Sequence, residues 1–122
     1  MAVRTVSHDN LVKEIDENVG ITLLAGVAYT QGMVVVKQDT GKYTNADIVL
    51  SGAIAATPQM SYDEQKIYVL ADDYDATAAD MAGIGYTGEF NSNNVTLPGT
   101  QTLTDVDGIL QAKGINLRDW SK

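Results

Sequence analysis

The stretch MVVVKQDTGKYTNA, residues 33–46, carries the strongest local signal in the chain. Three consecutive valines run into Asp39-Thr40-Gly41, and Tyr43 and Thr44 follow. β-branched and aromatic residues on either side of a glycine turn predict a hairpin, with a strand over 33–38 and its return over 42–45. An unbroken Val34-Val35-Val36 run, rather than alternation with polar residues, predicts a strand covered on both faces.

The texture is similar on either side of this hairpin. DIVLSGAIAAT (47–57) reads as a strand in which Gly52 marks a bulge or close packing, and Pro58 closes it. KIYVLA (66–71) is a further strand, AGIGYTGEFN (82–91) another with three glycines, and NVTLP (94–98) a short one. Near the end the period changes. Thr104 before Asp105-Val106-Asp107 reads as an N-cap with acids in the first turn. Val106, Ile109, Leu110 and Lys113 follow helical spacing, and Gly114 suits the C′ position, giving a helix over about 105–113. INLRDW (115–120) is a last extended segment. Short strands with glycine turns and one helix predict a mainly β fold, a small barrel or sandwich, instead of βαβ units.

Residues 1–20 differ. Leu11, Ile15 and Val19 lie at i, i+4 and i+8, so the segment is either a short helix with one apolar face or an arm that orders on a partner. The expected organisation is an N-terminal arm over 1–20 and one β-rich domain over 21–122.

Composition narrows the function. Without cysteine the chain has no disulfide, zinc–thiolate site or thiol nucleophile. Sixteen acidic against eight basic residues give a net charge of −8, which argues against nucleic acid or an anionic membrane as partner. No window of 18 apolar residues and no signal-like N-terminus is visible, so synthesis in the cytoplasm is expected. His8, the single histidine, sits in the arm, away from any nucleophile motif.

The remaining chemical candidate is ADDYDATAAD (71–80), where Asp72, Asp73, Asp75 and Asp80 invite comparison with a divalent-metal site or a hydrolase. A calcium loop begun at Asp73 would have Asp75 at its third place but Thr77, Ala78 and Ile84 where an acid or amide, a glycine and a glutamate belong. Asp and Thr also cap turns, and Asp75 is expected to cap a short helical turn over 76–80. The prediction is therefore no catalytic residue, no metal, no cofactor and no small-molecule substrate. Six tyrosines and Trp120 suit contact surfaces better than catalysis.

IYVLADDYDATAADMAGIGYTGEFN (67–91), followed by LTDVDGILQAKGINLRDW (103–120) and preceded by LLAGVAYTQGMVVVKQDTGKYT (23–44), resembles the head decoration proteins of lambda-like tailed phages. The resemblance runs in the same order over about residues 22–119. It implies a β-clip or tulip-like fold and a homotrimer on the outer surface of the expanded head, at local three-fold sites. It implies a structural role in which the major capsid protein is bound and the shell held against genome pressure. It further implies an N-terminal arm that adds main-chain pairing to the capsid protein, which places Val3, Arg4, Thr5, Val6, Leu11 and Ile15 at that contact. Tyr74, Tyr86, Arg118 and Trp120 are the expected trimer or shell contacts.

Overall fold

Val34 and Val36 of β3 (Val34–Lys37) point to one side of their strand and Val35 to the other, and all three are buried. Side chains alternate along a strand, so this burial requires a core on each face. The computed structural model, which describes residues 12–49, 65–99 and 101–118, supplies both cores.

The hairpin partner of β3 is β4 (Tyr43–Thr44), paired antiparallel across a turn whose Gly41 has φ +87°. The other edge of β3 pairs with β5 (Ile67–Leu70), and β5 pairs with β7 (Met81–Asn91). β7 in turn pairs antiparallel with β1 (Val12–Leu23), and Leu23 of β1 meets Tyr43 of β4. The ring β1-β4-β3-β5-β7-β1 is a closed five-stranded barrel. β8 (Ile115–Arg118) adds parallel to β7 outside the ring, and β2 (Ala28–Tyr29) with β6 (Tyr74–Asp75) makes a separate two-stranded ribbon. The fold is thus mainly β, a small barrel with one short helix, α1 (Leu103–Ala112).

The barrel interior is filled from four strands of the ring, β1, β3, β4 and β5. Ile21 and Leu23, Val35, Tyr43, Tyr68 and Leu70 form one buried cluster with Tyr29 and Ala76. β7 contributes no bulk there. A Cβ on Gly85 would lie 2.6 Å from Cβ of Tyr68, and one on Gly83 2.9 Å from Cδ1 of Leu23. Gly85 leaves room for Tyr68, whose ring lies 5.6 Å from that of Tyr43 in the lumen, and Gly83 leaves room for Leu23. Burial, with the charges of Tyr68 and Glu17, pushes the Tyr43 hydroxyl up to about 12. The second core lies outside the ring. There Val34, Val36, Ile67, Val69, Tyr86 and Phe90 meet Val106, Ile109 and Leu110 of α1 and Ile115 of β8.

Several expectations need correction. Residues 12–19 are strand, not helix. The i, i+4, i+8 spacing of Leu11, Ile15 and Val19 is even, so it suits a period of two as well as 3.6, but a register shift between Ile15 and Glu17 puts Ile15 and Val19 on opposite faces, and the regular alternation runs through Val19, Ile21 and Leu23. Pairing with β7 from Val12↔Phe90 to Leu23↔Met81 outweighs a helix too short to persist alone. β1 also runs through the expected boundary between residues 20 and 21 without a break. The N-cap is Thr102, not Thr104, and the helix begins at Leu103, not at 105; the Asp105 carboxylate accepts a hydrogen bond from the Thr102 N–H at 3.4 Å. Lys113 is consequently its C-cap, and Gly114 follows at φ +88°. Residues 92–94 form a 3-10 turn, and only Thr96, bridged to Met33, represents the expected strand over 94–98.

Of the strand expected over 47–57, residues 47–49 are described and are not in a strand. Two glutamines hold them instead. Gln101 accepts from the Ile48 N–H at 2.9 Å and donates to the Ile48 carbonyl at 2.8 Å. Gln65 does the same for Val49, at 2.9 Å in both directions. Each amide presents the donor and acceptor that a neighbouring strand would have offered. Gly52 and Pro58 lie outside the described residues.

Candidate functional site

The four aspartates do not converge. The Asp72 carboxylate accepts from the Asp73 N–H at 2.8 Å, and that of Asp73 accepts from Gln31 N–H at 2.8 Å. Asp75 accepts from both the N–H (3.1 Å) and the hydroxyl (2.7 Å) of Thr77. Asp80 accepts from Ala25 N–H at 2.8 Å and pairs with the Lys42 ammonium at 2.6 Å. The loop therefore fastens the segments on either side of β2, at Ala25 and Gln31, and the β3–β4 turn at Lys42. The helical turn expected over 76–80 is absent, since Thr77–Ala79 form a bend and Asp75 closes its turn on Thr77 alone. Among the described residues no three acidic or histidine side chains come close enough to hold a metal ion.

Two of these carboxylates are held below the ordinary value of 3.8: Asp80 by Lys42 and then Ala25, Asp75 by the Thr77 hydroxyl and then its N–H. A depressed folded value stabilises the fold above the unfolded value, and the contribution disappears as pH falls through the folded one. Asp80→Asn should therefore lower the urea midpoint at about pH 6 and have a smaller effect at about pH 3. A difference between wild type and variant that is equal at both pH values would contradict the assignment. Both groups are exposed and the ion pair is a surface one, so the effect is small.

The expected contact residues are scattered. Ile15 lies on β1 and is 42% exposed, one of two large apolar side chains so exposed among the described residues. Tyr86 is buried in the outer core, so it supports the fold from within. Tyr74 is half-buried and its hydroxyl accepts from the Ile84 N–H at 3.0 Å, where β7 has passed the end of β5. It also borders a shallow apolar groove of about 410 Å³ between β1 and β7. Gly20, Ala82 and Gly83 make its floor low, and no carboxylate, amine or imidazole lines it. Arg118 is 69% exposed and its Nε lies 3.4 Å from Glu89. Val3, Arg4, Thr5, Val6, Leu11 and Trp120 lie outside the described residues.

One feature of the surface has no counterpart in the sequence reading. β1 pairs with β7 along its length, but among the described residues its other edge meets only β4, and only at Leu23. Glu17, Asn18, Gly20 and Thr22 along that edge are all exposed. The alternation of Val19, Ile21 and Leu23 carries the signal for this strand, and helical spacing at Leu11, Ile15 and Val19 masked it.

No protein-family model matches the chain, and no curated protein matches it.

Proposed function

We propose that this chain is a structural, non-enzymatic decoration protein of a phage head. It binds the major capsid protein as a homotrimer on the outer surface of the expanded shell, at local three-fold sites. The observation that carries this reading is the ordered resemblance over about residues 22–119, with the acidic loop and the G-I-x-L-R tail as its most specific parts. Two structural facts are in keeping with it. The domain is a small β barrel with a short C-terminal helix, and the carboxylates of the acidic loop are occupied in holding loops together.

The physical logic is mass action. A protein that binds only the assembled lattice stabilises that lattice. Three linked weak contacts multiply into a strong one. A net charge of −8 on the exterior also limits sticking to nucleic acid.

Deleting residues 2–11, before β1 begins, should abolish co-sedimentation with expanded capsids while leaving the thermal transition of the barrel in place. Full binding by the truncated chain would remove the arm from the mechanism. Failure of the full-length chain to bind expanded capsids would remove the decoration reading itself.

A further inference from the structure

At one corner of the barrel β1, β7 and β8 form a three-stranded sheet that extends beyond the ring. In register, Val12 lies beside Phe90 and Phe90 beside Leu117, while Ile15 lies beside Gly88 and Gly88 beside Ile115. Residues in register share a face. On this face α1 covers Phe90 and Ile115, both fully buried. Ile15, in the same row, is left 42% exposed. The apolar face thus continues past the helix and stops uncovered at β1.

Both edges of this corner are open among the described residues. No strand pairs with the outer edge of β1 before Leu23, and none with the far edge of β8. The two edges differ in charge. Glu17 lies on β1, whereas β8 carries Arg118. A register shift between Ile15 and Glu17 places Glu17 in the row of Thr87, so Glu17, Glu89 and Arg118 lie on the face opposite Ile15. Arg118 already contacts Glu89 there, and a guanidinium has further donors to give.

We propose that the occupant of the β1 edge is β8 of a second copy of this chain, so that the sheet continues from one protomer into the next. Main-chain hydrogen bonds supply the association, Glu17 of one copy faces Arg118 of the next, and the incoming strand covers Ile15. β1 and β8 are different surfaces, so the contact is heterologous and must close into a ring or run on as a filament. The ring has three members; that number rests on the trimer proposed above.

The chain has no cysteine, so introduced thiols are unique. Glu17→Cys and Asn116→Cys, combined in one full-length chain, should link with a short thiol cross-linker into dimers and trimers with nothing larger, and neither single variant should link. Arg118→Glu should weaken self-association measured by sedimentation about tenfold, and Glu17→Lys should restore it. A trimer in which the pair never links, linking by either single variant, bands above the trimer, or a monomer at high micromolar concentration each overturns the proposal. Capsid binding is measured in parallel on the wild-type chain. Binding retained in any of those cases leaves the decoration reading standing, whereas linked trimers that ignore capsids leave the edge pairing standing alone.

Discussion

Replacing Gly85 with valine should destabilise the barrel by about 3 kcal/mol or more, the upper end of what overpacking a core costs. An alanine Cβ alone would sit 2.6 Å from Cβ of Tyr68, and the atom it meets is next to the backbone of β5, so it cannot swing away. Valine adds two methyls to the same crowded lumen, where Tyr43 and Tyr68 are already in contact. A domain of this size is stable by roughly 5–15 kcal/mol, so the variant should lose a large share of its margin. Urea unfolding followed by circular dichroism checks this. Gly108→Ala is the matched control, because nothing lies within 4 Å of the Cβ it would add to α1. It should stabilise by about 0.5–1 kcal/mol through helix propensity. A Gly85→Val chain within about 0.5 kcal/mol of wild type would mean that the lumen is not packed as described.

Truncation tells two roles of the N-terminal region apart. Removing residues 2–20 should abolish cooperative unfolding, whereas removing 2–11 should not. The longer deletion takes away most of β1, including every residue paired with Ile84 to Phe90 of β7. β7 would lose its partner along most of one edge, and only Ile21, Thr22 and Leu23 would remain to join β7 to β4. Backbone groups left unpaired beside a core cost more than the lost hydrogen bonds return. The expected result is a broad, non-cooperative melt and strong binding of a hydrophobic dye by the longer deletion. A sharp transition near that of wild type would show that the barrel closes without β1.

What the sequence makes legible here is what local chemistry decides. The β3–β4 hairpin follows from Gly41 and the valine run, β5 and β7 from their composition, and the helix end from Gly114 at positive φ. What stayed hidden depends on distant partners. β1 is a strand because β7 lies beside it, though Leu11, Ile15 and Val19 fit a helix equally well. Ile48 and Val49 leave the sheet because Gln101 and Gln65 occupy their main chain. The aspartates of 72–80 look alike in sequence, yet Asp73 answers to Gln31 and Asp80 to Ala25 and Lys42. That division of labour removes the resemblance to a metal loop, and only the folded chain reveals it.

The paired glutamines also bear on engineering. Gln65 clasps Val49 through both ends of its amide, so the two points where residues 50–64 leave and rejoin the described structure are fixed within one side chain's reach. A peptide grafted between them starts and finishes at the same anchored place. Doubling the length of such a connection costs only about 0.6 kcal/mol of closure entropy. The clasp between Gln65 and Val49 holds both attachment points whatever the length of the peptide between them.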